Sequence, residues 1–172
     1  ILFRLVGSEM CIRDRRAACR SLDIELIDMP GATSCGAGIL GQANRRLQIT
    51  LNARTMSIAE DLGMDIITPC ATTAATLFED LMMLKADSGL MGEVNRTLEK
   101  TTGRVLEGSI KIRHLLQVIM EDIGIEKFSK KVKNPIPSPL APYYGPNLQQ
   151  IGLIGGDDVF DPWYMELSLI HI

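Results

Sequence analysis

The sequence predicts an α/β fold in which a small, largely parallel sheet is flanked by helices. Two strand-like runs, 24–29 and 65–69, are each followed by a stretch with helical spacing of apolar residues. Each run leads into a loop that carries a cysteine, Cys35 after the first and Cys70 after the second. Parallel strands end at a common edge of a sheet, so both cysteines are expected at strand-to-helix loops on that edge.

The remaining elements follow from spacing and from turn residues. The predicted helices are 42–62, ended by Gly63; one after Cys70, capped by Thr72 or Thr73; a short one over 90–98; an amphipathic one over 112–123, ended by Gly124; and a short one over 125–131. Three prolines within 134–139 predict a linker, and 140–144 is predicted as a strand.

Composition narrows the class of protein. Hydrophobic residues make up 46% and charged residues 23% of the 172 residues, which is typical of a globular domain. The formal net charge of -3 argues against a nucleic-acid surface. The chain has no apolar run of about 18 residues and no signal-peptide layout, so we expect a cytoplasmic protein without a membrane span. Its four cysteines are far apart, which in a reducing compartment favours thiols or metal ligands over disulfides.

Cys35 is the first candidate site residue. It lies in a glycine-rich turn before a helix, where backbone N–H groups and the helix dipole favour a thiolate and can bond cluster sulfides. A buried thiol in a turn is an equal alternative. The spacing of Gly36, Gly38 and Gly41 suggests phosphate binding less well, because no acidic residue follows at the distance that dinucleotide sites use.

Cys70 occupies the equivalent loop and is expected to converge with Cys35. Two thiolates alone do not complete an iron–sulfur cluster. His114 lies beside an apolar stripe, where a structural or surface role is favoured over a ligand role. The sequence assigns no catalytic residue.

Four stretches together resemble a known family. They read IDMPGATSCGAG, LNARTMSIAEDLGMDIITPCATTAATL, IKIRHLLQVIMEDIG and APYYGP, and they extend over about residues 20–150. This order is similar to that of the B subunit of heterodisulfide reductase, a family with a cysteine-rich domain and a CCG motif. The chain resembles a truncated N-terminal half of such a protein, with degenerate cysteines.

The resemblance implies an oxidoreductase subunit with a non-cubane four-iron four-sulfur cluster, for which Cys35 and Cys70 are the matching ligands. It implies partners as well, a cubane iron–sulfur subunit and a flavin subunit, in an electron-transfer complex that acts on disulfide or sulfur substrates. Three family cysteines are replaced, by Ser34, Thr73 and Pro146. No complete cluster is therefore expected in this chain. The alternative is a non-catalytic assembly subunit that keeps the fold.

The resemblance also divides the chain. Residues 16–133 are expected to form a first CCG-type α/β domain that is incomplete at its start, and 134–166 a linker and the start of a second repeat. Residues 1–15 show no clean helical or strand periodicity, and residues 167–172 end in an apolar run without a turn signal. Both segments look like translated adaptor sequence, so we expect them to be non-native.

Overall fold

The computed structural model describes residues 2–3, 16–133, 138–139, 141–152, 157–158 and 160–170. Over these residues the chain has the predicted α/β fold, in which helices flank a small parallel sheet. The strands are β1 (Leu2–Phe3), β2 (Ile27–Asp28), β3 (Ile66–Thr68) and β4 (Ile112–His114). The strands predicted over 24–29 and 65–69 are thus confirmed in shorter form.

Helices account for most of the described residues, and none of those in the described ranges is long and apolar enough to cross a membrane. They are α1 (16–21), α2 (Ile39–Ala43), α3 (Arg45–Asp61), α4 (Ala71–Ala86), α5 (Ser88–Thr102), α6 (Leu115–Val118), α7 (Ile125–Lys131), α8 (Pro146–Gly152) and α9 (Tyr164–Ile170), with a π-helical turn over Ile119–Ile123.

The strands lie in the order β2-β1-β3-β4, and every pair is parallel. In the pair β3–β4, Ile66 lies opposite Ile112 and Thr68 opposite His114. Because all strands run the same way, the loops that follow β2, β3 and β4 leave the sheet at one edge. This edge carries the loops of Cys35 and Cys70, as the sequence predicts.

The sheet separates two apolar clusters. Successive strand residues point to opposite faces, so Ile66 packs with α3, α4 and α5 while Ile67 packs with α1 and α6. Leu84 and Leu98 are nearly inaccessible in the first cluster, and Cys19 is fully buried in the second. Both faces of the sheet are therefore covered, as expected for parallel strands.

The predicted helix 42–62 is confirmed with one interruption. Asn44 separates α2 from α3, and its side chain accepts a hydrogen bond from the Leu47 amide at 3.0 Å as the cap of α3. Gly63 follows the end of α3 with a φ of 65°, the left-handed conformation that a glycine after a helix adopts.

The amphipathic helix predicted over 112–123 is wrong at its start, because Ile112–His114 form β4. The strand pairs with β3 before the chain turns into α6 and the π-helical turn, which ends before Gly124 as predicted. Short apolar runs fit a strand and a helix equally well, so periodicity alone does not find such a junction.

The strand predicted over 140–144 is also wrong in its described part. Residues 141–145 have no regular structure, while Leu140 lies outside the described residues. Conversely, β1 lies within segment 1–15, where the sequence shows no periodicity, and it pairs with both β2 and β3. The division of the chain into segments stays a prediction.

Leu84 provides a test of this core. Replacement by alanine should lower the free energy of unfolding by about 2–5 kcal/mol, because the side chain is 1% exposed and leaves a cavity. The matched control is Met82→Ala in the same helix, whose side chain is 45% exposed and which should cost well under half as much. Urea denaturation measures both values, and equal losses would contradict the described packing of α4.

Candidate functional site

The Cys35 loop is held by three side chains of α3. Asn52 donates a hydrogen bond to the Cys35 carbonyl oxygen at 3.0 Å, and Arg54 donates one to the Gly31 carbonyl oxygen at 3.0 Å. The hydroxyl of Thr55 accepts from the Thr33 amide at 3.4 Å. Asn52 and Arg54 are the asparagine and arginine of the LNAR stretch. Two motif residues of the predicted family therefore bind the backbone of the cysteine loop.

The two cysteine loops meet at the carboxyl edge of the sheet. The Cys35 sulfur lies 3.6 Å from the hydroxyl oxygen of Thr73, in the first turn of the helix that Cys70 precedes. Cys35 is buried and Cys70 is exposed. The contact thus joins Cys35 to Thr73, the residue that the resemblance places at a cysteine position of the family.

The predicted cap of α4 is wrong. Cys70 occupies the cap position but its side chain does not cap the helix, and Thr72 and Thr73 lie inside the first turn. Both hydroxyls instead make tertiary contacts, Thr73 with Cys35 and Thr72 with Asn147, whose amide nitrogen donates to it at 2.8 Å. Because Asn147 follows Pro146, the third replaced family position is brought next to the same helix turn.

His114 has the structural role that the sequence favours. Its Nδ1 accepts from the Leu116 amide at 3.2 Å, so the neutral ring carries its proton on Nε2 and donates it to the Pro69 carbonyl oxygen at 3.1 Å. Burial lowers the pKa of His114 below its usual 6.5, and the bond to Pro69 opposes this shift. The neutral imidazole therefore ties the end of β4 to the backbone just before Cys70.

Backbone conformation and close packing explain the three glycines that follow Cys35. Gly36 and Gly38 have φ values of 67° and 84°, which side chains rarely adopt. A Cβ atom on Gly41 would clash with the side-chain oxygen of the buried Gln48. All three glycines thus have backbone or steric reasons that involve no phosphate.

A polar cluster behind the Cys35 loop is absent from the sequence predictions. Asp80 is fully buried in α4, where the Asn52 side-chain nitrogen donates to its carboxylate at 2.6 Å. The sequence does carry one signal for it: Asp80 lies three residues after Leu77 and four before Leu84, on the apolar face of the helix. An acidic residue at such a position is a candidate for a buried partner.

A pocket of about 680 Å³ lies elsewhere, between α4 and the chain around β4. Leu81, Lys85 and Tyr164 line it, together with Arg113, whose guanidinium is already paired with two carboxylates of the π-helical turn. None of the predicted site residues contributes to this pocket. The cysteine loops therefore remain the candidate site.

Among the described residues, no three or more histidines, cysteines, aspartates or glutamates are grouped so that they could hold a metal ion. The positions that the resemblance assigns to the cluster ligands of the family carry the thiols of Cys35 and Cys70, the hydroxyls of Ser34 and Thr73, and the ring of Pro146. Hydroxyl groups are much weaker ligands for iron than thiolates. The donor set of the described residues does not fit a complete four-iron cluster.

No family model matches the sequence, but several curated proteins do. The B subunit of a ferredoxin/F420H2-dependent CoB-CoM heterodisulfide reductase from Methanosarcina acetivorans is 27% identical over 130 residues, 75% of this chain. A protein of Archaeoglobus profundus that is named as similar to the B subunit of heterodisulfide reductase is 29% identical over 119 residues, 69% of this chain. The resemblance to this family is confirmed.

A third similar protein is the B subunit of the ferredoxin:CoB-CoM heterodisulfide reductase from Methanosarcina mazei, 28% identical over 128 residues. The aligned stretches cover 43% of the Methanosarcina acetivorans protein, 42% of the Methanosarcina mazei protein and 40% of the Archaeoglobus profundus protein. The chain thus spans about two fifths of the length of the curated relatives it matches.

The His114 contacts predict a pH dependence. Its pKa is lowered in the folded state, so the unfolded state binds the proton more tightly, and stability should fall as the pH drops below about 6.5. The stabilisation is fully present above that pH and is lost as the pH falls through the lower folded-state pKa.

The measurement is the free energy of unfolding from pH 7.5 to 5 for wild type and for His114→Asn. Asparagine keeps a side-chain acceptor for the Leu116 amide but does not titrate. The separation between the two curves should be constant above about pH 6.5, where the variant lacks only the bond to Pro69, and should narrow below that pH, where only the wild type loses stability through His114. Parallel curves would show that His114 titrates alike in both states.

Proposed function

We propose that this chain is a component of an iron–sulfur electron-transfer complex that acts on disulfide or sulfur substrates, in the place of the B subunit of heterodisulfide reductase. The observation that carries the proposal is the contact between Cys35 and Thr73, at 3.6 Å. These residues come from loops 38 positions apart and match two cysteine positions of the family. The similarity to curated proteins of that family supports the same assignment.

The partners belong to the proposal. They are a cubane iron–sulfur subunit and a flavin subunit, which the resemblance implies. Because the chain spans about two fifths of its relatives, the activity and partners of the whole protein are proposed for a longer chain that contains this domain. The cytoplasmic location predicted from the sequence stays a prediction.

A non-catalytic assembly subunit is the second candidate, and the donor set favours it. The contacts that hold the loops are present, namely those of Asn52, Arg54 and His114. The residues at three ligand positions of the family lack thiols. Such a domain would keep the shape needed for docking while the chemistry takes place on other subunits.

Thiol replacement in the assembled complex distinguishes the two candidates. For a redox subunit, Cys35→Ser and Cys70→Ser should each lower disulfide reduction by a reduced viologen dye at least about tenfold, the usual scale for losing a working group. The complex is isolated through a tag on this chain, and its subunit content is measured alongside. Ser34→Ala, in the same loop, is the control that keeps both thiols. Full activity of both cysteine variants in an intact complex would exclude the redox role and leave the assembly role.

Restoring the missing thiols tests the donor-set argument. Ser34→Cys with Thr73→Cys should enable the protein to take up iron and sulfide under anaerobic reconstitution, because position 73 lies within contact distance of Cys35. The wild-type chain should take up little. Ser21→Cys with Thr97→Cys adds the same two substitutions at exposed sites and should match the wild type. Equal uptake by wild type and the restored variant would show that the present residues suffice.

A further inference from the structure

Polar side chains are buried between α3 and α4, behind the Cys35 loop. Asn52 and Asp80 are fully buried and Gln48 is 2% exposed. One oxygen of the Asp80 carboxylate accepts hydrogen bonds from the side-chain nitrogens of Asn52, at 2.6 Å, and Gln48, at 3.4 Å. The other oxygen forms an ion pair with Arg45 at 2.7 Å. A carboxylate in an apolar core is costly unless such partners compensate for its lost hydration.

The Asn52 amide forms a bridge from this carboxylate to the cysteine loop. Its nitrogen donates both to the Asp80 carboxylate and to the Cys35 carbonyl oxygen. Both partners are acceptors, which fixes the orientation of the amide. Its own oxygen is buried without a hydrogen-bond partner in the described structure. The two acceptors of the Asn52 amide nitrogen thus hold the amide in this orientation, although its oxygen is left without a partner.

The bridge has a direct consequence for Cys35. The carbonyl that Asn52 binds belongs to Cys35 itself, so the bond restrains the residue whose sulfur contacts Thr73. Without Asp80, the Asn52 side chain keeps only one partner and can rotate away. Two apolar side chains in place of Asn52 and Asp80 would also pack α3 against α4, but they would not restrain the Cys35 loop.

We propose that Asp80 is a positioning residue for the Cys35 thiol and that it acts through the Asn52 amide. The inference rests on the proposed function only in taking Cys35 as the working thiol of the site. It applies equally whether that thiol binds iron or reacts with sulfur compounds.

The test uses the cysteines of the chain as reporters. Alkylation by N-ethylmaleimide at each cysteine is followed by mass spectrometry under native conditions. Cys35, 9% exposed, reports the loop; Cys70, exposed, reports the reaction of a surface thiol; and Cys19, fully buried in the other cluster, reports global unfolding. No iron is added, so the result is independent of the test of the proposed function.

Asp80→Ala should raise the Cys35 rate about tenfold, the change in local opening that loss of one hydrogen bond produces. Asp80→Asn keeps an acceptor for Asn52 and should restore the wild-type rate to within about twofold. Glu79→Ala is the matched control, because this exposed neighbour also pairs with Arg45, at 3.2 Å. Cys19 and Cys70 should react as in the wild type in every variant.

Asn52→Ala removes the bridge but leaves Asp80 its contacts with Arg45 and Gln48. This variant tests the proposal independently if Asp80→Ala does not fold. It should raise the Cys35 rate as much as Asp80→Ala, and the double variant should raise it no further. An unchanged Cys35 rate in folded Asn52→Ala would overturn the proposal. So would Cys19 and Cys35 rates that rise together, because these report a general loss of stability.

Discussion

The hydrogen bond between Asn52 and Asp80 joins the two helices on which the candidate site depends. Helix α3 binds the Cys35 loop through Asn52 and Arg54, and helix α4 starts at the Cys70 loop. The relative position of the loops therefore follows from how α3 packs on α4. Apolar packing alone allows small shifts between helices, whereas a buried carboxylate requires its donors at defined positions.

The sequence predicts most of this framework because its signals are local. Apolar spacing predicts α4 and α5, and the strand-to-helix alternation predicts that the cysteine loops share an edge. The spacing of apolar residues wrongly places Ile112 in a helix, because this residue fits both a helical and a strand period. The Asn52–Asp80 bond joins residues 28 positions apart, so only the folded chain brings them together.

The motif residues behave as two separate groups. Asn52, Arg54 and His114 bind backbone atoms of the cysteine loops, and all three are present. The residues expected to bind iron are altered at Ser34 and Thr73. A resemblance based on sequence order thus combines positions that shape the site with positions that supply its chemistry. The structure separates them by what each side chain contacts.

The loops are held by contacts from within the protein, which bears on how metal binding relates to folding. In small zinc domains the metal supplies the free energy that orders its ligands, so the apo form is unfolded. Here the Cys35 carbonyl is bound by Asn52 and the Pro69 carbonyl by His114, so amide and imidazole donors order both loops. The order of these two loops therefore does not depend on a bound metal, and an exchange of thiols at this edge leaves both backbone contacts in place.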